Sequence, residues 1–437
     1  MTGSDPHPTI VALSSAAGRA GVAVVRISGA RVRFVLETIA GMVPPPRQAL
    51  LRRLRDEHGE PIDSALVLYF PGPASFTGED VAEFQVHGAR AVLARLLAVL
   101  CALPGVRLAE AGEFTRRAFE AGKLDLAAVE GLADLIDSET EWQRRQALRQ
   151  MEGALGDSAA RWRLQLVEAM ALLAAEIDFS DEADVGGPLM EQALAAAAEV
   201  TADLRSALGS FDMGERVRDG FVVVLAGPPN AGKSSLLNAL ARRDVAIVSP
   251  VAGTTRDAIE VRLDLVGLPV VLVDTAGLRD STDPIEAEGV RRARSLVARA
   301  DLVLSLRATD SDPDRIHDQT ESLPIATKAD LAGTLLPHEL PISVKTGEGL
   351  DRLLSTIVER LSAVARPEPA LLTRERHRLA VTNAIAALER ATGTEHGQAE
   401  LVAEDIRIAV LALERLLGRI DVEDVLDQLF AGFCIGK

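Results

Sequence analysis

The chain has 437 residues, with 47 Lys and Arg against 64 Asp and Glu, a formal net charge of −17. That balance weighs against a dedicated nucleic-acid grip, which needs clustered Lys and Arg, and an aromatic content of 3% leaves little for a base-stacking platform. Two Cys in this length argue against a disulfide framework and suit a reducing cytosol, and the length suggests about three domains.

The start, "MTGSDPHPTI", is polar and unlike a signal peptide. No apolar run is long enough to span a bilayer; "LVEAMALLAAEI" is interrupted by Glu168 and Glu176. Up to about residue 120 the pattern is mixed α/β. "TIVALS" and "GVAVVRIS" read as strands, with Gly18 and Gly21 marking the turn between them. "SALVLYF" and "VAEFQVHG" read as further strands, and "AVLARLLAVLCAL" as a helix stopped by Pro104-Gly105. From about 120 to 210 the period is helical, with Leu124, Ala128, Leu132, Leu135 and Ile136 on one stripe and a break at "DFSDEADVGGP". Near 218 it changes again. "RDGFVVVLAG", "GLPVVLVDTAG", "DLVLSLR", "LPIATKAD" and "LPISVK" are strand-like and alternate with helical stretches up to "ARPEPA", which predicts a mainly parallel sheet. The segment between "LSLR" and "LPIATK" is short for a crossover helix. The remainder is helical. The expected architecture is an α/β head and a helical body, with a second α/β domain inserted into that body.

"GPPNAGKSS", Gly227 to Ser235, fits G-x-x-x-x-G-K-[ST] between a strand and a helix. Its backbone N–H groups, through Asn230, Ala231, Gly232, Lys233, Ser234 and Ser235, are placed to wrap phosphate oxygens at a helix N-terminus. Lys233 can reach the β- and γ-phosphates, and the Ser234 hydroxyl can hold Mg²⁺. "VDTAG" ends a strand, with Asp274 as the expected Mg²⁺ partner and Gly277 closing the motif. "GTTRD", Gly253 to Asp257, lies between them, where a Thr can complete the Mg²⁺ shell and sense the γ-phosphate. "TKAD" supplies Thr327, Lys328 and Asp330 where a guanine reader, usually NKxD, belongs. Asp330 can accept from guanine N1–H and N2–H₂, which selects GTP. Thr327 replaces an Asn, so guanine selectivity is expected to survive with weaker affinity. Ser343, Val344 and Lys345 fit the last guanine-contact loop loosely. Leu278 stands where a Ras-like GTPase carries its water-positioning Gln. Hydrolysis then needs another acid, a cation or a partner. Glu286 is the nearest plausible carboxylate, and it reads equally well as a solvated helix-start Glu.

These motifs resemble the Era, Der and MnmE group of GTPases. "FTGEDVAEFQVHG", "GEFTRRAFEAGKLDLAAVEGLADLID", "AEIDFSDE" and the terminal "FCIGK" narrow the resemblance to the MnmE (TrmE) family of tRNA-modification GTPases, over essentially the whole chain. The resemblance implies an N-terminal folate-binding and dimerisation domain at 1–120, a discontinuous helical domain at 121–215 and 367–437, and an inserted P-loop GTPase domain at 216–366. It implies a cytoplasmic GTP hydrolase (no membrane partner) that forms a homodimer. With an MnmG-type flavoprotein, which alone carries the FAD, it would install an aminomethyl or carboxymethylaminomethyl group at carbon 5 of the wobble uridine of certain tRNAs. The one-carbon unit would come from 5,10-methylene-tetrahydrofolate. Carried over by motif, the folate site is Arg26, Glu83 and Lys123, with Lys437 reaching the same pocket; without the resemblance Arg26 is a strand-edge surface charge. Asn230, Ser249, Val251 and Thr254 match the family's K⁺ ligands, Thr255 its Mg²⁺-binding Thr, and Glu286 its water-orienting carboxylate. K⁺-stimulated hydrolysis would accompany pairing of two GTPase domains. Cys434 is either a thiol near the one-carbon chemistry or a small buried residue. The competing reading is a GTP-switched ribosome assembly factor, which has no use for the first-third motifs; the chain end also lacks a KH-like G-x-x-G module.

Overall fold

The computed structural model describes residues 7–178, 189–247, 260–274, 298–311, 322–364, 370–393, 399–420, 423–433 and 435–436. By internal contacts the chain divides into two compact units, one of residues 1–133 with 414–437, the other of 134–413.

In the first unit, β1 (Thr9–Leu13), β2 (Ala20–Ser28), β3 (Leu50–Arg55), β4 (Pro61–Phe70), β5 (Val81–Gly88) and β6 (Val106–Leu108) form a sheet in the order β3-β4-β5-β2-β1-β6. All its described pairings are antiparallel except β1 with β6. Alternation sets the faces. Val25, Ile27, Val67, Phe84 and Val86 turn to one side, where α1 (Val32–Ala40) and α2 (Arg90–Ala102) cover them. α1 contributes Val32, Val35, Leu36 and Ile39, one stripe of a helical period. Gly18 lies between β1 and β2 as expected, but Gly21 falls inside β2, where the register to β5 shifts. α3 (Glu113–Glu120) and α4 (Leu126–Asp137) follow. The predicted stripe is only partly realised: Ala128 is buried, Leu124 precedes α4, and Ile136 is exposed.

In the second unit, α5 (Glu141–Met151), α6 (Ala154–Asp178), α7 (Leu189–Leu208) and α8 (Phe211–Asp219) lead into the other sheet. Its strands are β7 (Phe221–Ala226), β8 (Glu260–Leu265), β9 (Leu268–Asp274), β10 (Leu302–Ala308), β11 (Ser322–Thr327) and β12 (Leu340–Pro341), ordered β12-β11-β10-β7-β9-β8. Described pairings are parallel except β8 with β9. β9 is buried throughout, as a parallel strand covered on both faces must be. One face packs with α9 (Lys233–Ala241) and α10 (Leu350–Val364) through Leu236, Leu237, Leu240, Leu353 and Ile357; the other gathers Val224, Val271 and Val273. α11 (Glu375–Gly393) packs on α7, and α7 on α6. α12 (Ala399–Leu416) follows, and α13 (Glu423–Ala431) belongs to the first unit. The Trp142 N–H of α5 donates to the Gly267 carbonyl in the β8–β9 turn at 3.1 Å.

Candidate functional site

In the second unit, three of the predicted motifs meet at the C-terminal ends of parallel strands, where open α/β sheets bind ligands. The loop 227–232 leaves β7 and enters α9. Gly227 has φ +148, and a Cβ there would lie 2.3 Å from the Leu306 carbonyl oxygen of β10, so no other residue lets the loop start this close to the sheet. Asn230 adopts φ 64 and is exposed, while Ala231 is buried beneath it. Lys233, 6% exposed, folds back so that Nζ donates to the Gly227 and Pro228 carbonyls, each at 3.0 Å. Its ammonium therefore sits across the mouth of the loop.

Ser234 Oγ donates to Asp274 Oδ2 at 2.6 Å, and Asp274 is fully buried at the end of β9. A hydroxyl and a carboxylate side by side are hard oxygen donors, which suit Mg²⁺. Ser235 is exposed. On β11, Thr327 Oγ1 donates to the Ala231 carbonyl at 2.7 Å. Lys328 turns the chain with φ 58, and its Nζ pairs with Asp310 at 3.0 Å. Asp330 is exposed, and its Oδ1 accepts from Ser343 Oγ at 2.7 Å. Val344 packs on the core and Lys345 is exposed. Asp310 was not singled out by sequence; the acidic "TDSD" after β10 is its one hint. Below this edge Arg307 forks onto Glu339 at 2.7 and 2.6 Å and donates to the Thr334 carbonyl at 2.8 Å, both side chains being nearly buried. Burial alone would push the Glu339 carboxyl up, but the guanidinium and the Leu336 N–H outweigh it and hold it below its ordinary range.

In the first unit Arg26 and Glu83 are direct partners across β2 and β5. Arg26 Nε donates to Glu83 Oε1 at 3.0 Å, and Nη2 lies 2.9 Å from the same oxygen. The guanidinium lies 5.8 Å from the centre of Phe76 and 5.9 Å from that of Phe114. Sequence reasoning had both charges but missed the two rings. Two residues along β2, Ser28 Oγ donates to Glu79 Oε2 at 2.7 Å. A carboxylate only accepts and a hydroxyl has one proton, so Thr77 must donate the 2.7 Å bond it shares with Ser28. Arg117 closes the network on Glu79 and Glu113, each at 2.9 Å. Lys123 has an exposed side chain, and its N–H caps α3 on the Ala118 carbonyl at 2.9 Å.

The chain end docks in this same unit. Ile435 bridges Ala111, and the Gly436 carbonyl accepts from Ser14 Oγ at 2.9 Å. Phe430 and Phe433 are buried behind it. The expected residues Ser249, Val251, Thr254, Thr255, Gly277, Leu278, Glu286, Cys434 and Lys437 lie outside the described residues.

Two family models match: residues 9–123 match "GTP-binding protein TrmE N-terminus" and 126–434 match "MnmE helical domain". A protein named tRNA modification GTPase MnmE from Bradyrhizobium sp. (strain ORS 278) is 51% identical over 442 residues, covering 99% of this chain and 100% of its own. One of the same name from Beijerinckia indica is 54% identical over 435 residues, covering 98% and 96%. Among solved structures, the G domain of the T. maritima FeoB iron transporter is 26% identical over 32% of this chain and 98% of its own, with a TM-score of 0.25, too low to bear on function. With both family models matched and relatives identical at half their positions end to end, the chain belongs to the MnmE (TrmE) family.

Proposed function

We propose that this chain is a GTP hydrolase acting in tRNA uridine modification. The supporting observation is the junction of Lys233, the Ser234–Asp274 pair and the Thr327–Ala231 bond on one sheet edge, in a family whose curated relatives are named tRNA modification GTPases. The N–H groups of Asn230, Ala231, Gly232, Lys233, Ser234 and Ser235 hold the phosphates at the start of α9. Lys233 exchanges its loop carbonyls for β- and γ-phosphate oxygens. Ser234 and Asp274, with Thr255, hold Mg²⁺; Asn230, with Ser249, Val251 and Thr254, holds K⁺. Bound by these residues, the two cations would supply positive charge beside the phosphates. Glu286 orients the attacking water, and Gly277 closes the loop before it. Asp330 reads the guanine N1 and N2 edge, with Lys328, Ser343, Val344 and Lys345 around the base.

In the same proposal, segments 1–120, 121–215, 216–366 and 367–437 are the folate-binding and dimerising, helical, GTPase and second helical parts. Arg26, Glu83, Lys123 and Lys437 hold a tetrahydrofolate derivative, the 5,10-methylene form in the reaction. Arg26 and Glu83 fit that ligand in kind: a donor fork suits the glutamate tail and a carboxylate suits the pterin donor edge. The chain works as a homodimer in the cytoplasm with an MnmG-type flavoprotein carrying FAD. Among the described residues no helix is long and apolar enough to cross a membrane. The test is mass spectrometry of tRNA nucleosides from a strain lacking the gene, complemented with wild type or Lys233→Ala. Restoration of the carbon-5-modified uridine by wild type alone is expected; an unchanged nucleoside profile overturns the reading. For the folate part, 5-formyl-tetrahydrofolate should bind wild type and not Arg26→Ala.

A further inference from the structure

We infer that Thr327 is a positioning residue that bolts the guanine loop to the phosphate loop and makes no hydrogen bond to the base. This deepens the GTP reading above and rests on it. Thr327 ends β11 at 2% exposure. Its Oγ1 lies 2.7 Å from the Ala231 carbonyl oxygen and 3.3 Å from that of Arg307. Both neighbours only accept, and a hydroxyl carries one proton. That proton is committed to backbone, mainly to the phosphate loop at the shorter distance. Guanine N7 and O6 are acceptors as well, so Thr327 has no second donor to offer them.

The local packing agrees. A Cβ built on Gly232 would come 3.4 Å from Thr327 Oγ1, which places the hydroxyl against the phosphate loop. The next residue, Lys328, is tied down by Asp310 and turns the chain toward Asp330, whose carboxylate is oriented by Ser343. Loop positioning and base reading thus fall to different residues. An Asn at 327 would behave otherwise: its amide carries two N–H donors, one for the Ala231 carbonyl and one to spare for the base.

The experiment titrates the full chain, as wild type, Thr327→Ser, Thr327→Val and Thr327→Asn, with GDP and with 7-deazaguanosine diphosphate, which lacks the N7 acceptor. Wild type should bind both within about twofold. Thr327→Val should weaken both by the same factor, about 3- to 10-fold, for one lost hydrogen bond; Thr327→Ser should restore both. Thr327→Asn should gain a preference for GDP over the deaza analogue of about 3- to 10-fold. A wild-type preference for GDP above about fivefold, on the same one-bond scale, overturns the inference, as does a Thr327→Val loss confined to GDP. The wild-type comparison stands even if a variant fails to fold. Absence of GDP binding to wild type overturns the functional reading itself and this inference with it.

Discussion

Replacing Gly436 by Ala should release the chain end from the first unit. Gly436 has φ +108, and a Cβ there would lie 2.2 Å from the Leu13 carbonyl oxygen and 3.1 Å from the Ser14 Cα, backbone on both counts. An L side chain in that conformation costs about 1–3 kcal/mol. Relieving the contact costs a further ~1–3 kcal/mol, the usual range for overpacking. The sum, about 2–6 kcal/mol, is of the order of what docking itself can supply, because the described polar ties are one Ser14–Gly436 bond and the Ala111–Ile435 bridge. The docked population should fall at least about 30-fold, at tenfold per 1.4 kcal/mol. Hydrogen exchange of the C-terminal peptide reads this directly, since local opening sets the protection of its amides. Ser14→Ala, which removes one hydrogen bond, should lower protection only about 2- to 10-fold. Exchange in Gly436→Ala as slow as in wild type would refute the docking argument.

Ser234→Ala should weaken GDP binding about tenfold in Mg²⁺ and leave it unchanged in EDTA, because it removes a hard oxygen beside Asp274; titration calorimetry in both buffers checks this. Glu339→Gln should destabilise the second unit by about 3 kcal/mol, since it leaves the Arg307 charge buried without its counter-charge. Urea unfolding followed by tryptophan fluorescence reads it, as Trp142 and Trp162 both lie in that unit. Glu339 is held below its ordinary value in the fold, so its contribution is complete above about pH 4.3 and is lost as pH falls through the lowered value. Glu339→Gln should therefore flatten the acid limb of stability against pH. Gly214→Ala should destabilise by about 1–3 kcal/mol, although Ala normally favours a helix over Gly by about 1 kcal/mol, because its Cβ would meet the Leu372 carbonyl oxygen at 2.2 Å; a urea midpoint at or above wild type would contradict this.

The parts of this protein legible in its sequence are those whose signal lies along the chain. β7 and β9 are continuous apolar runs, and a parallel strand covered on both faces has no other composition available. The phosphate loop was equally plain, because its turn, lysine and serine are local to one strand–helix junction. β3 ("LLRRLR"), β8 ("EVRLDL"), the three-residue β6 and α1 were not anticipated. The first two lie at sheet edges. In β3 the Leu-Leu and Arg-Arg doublets break any alternation, so no period marks it; β8 alternates charged and apolar residues throughout, a half-buried strand signal that the sequence reading left out. Tertiary structure decided what depends on register between distant segments. Arg26 meets Glu83 because β2 and β5 pair in one register, and a slip by one residue would turn the two charges to opposite faces. Thr327 meets Ala231 because β10 lies between their strands in a register that carries β11 three residues past the end of β7: Ala226 and Pro324 both lie opposite Ser305, and Thr327 lies opposite Ala308 beside the loop. The chain end meets Ser14 across nearly the whole sequence. Periodicity reports which face of an element is apolar; which element that face meets is set by the burial of all of them together.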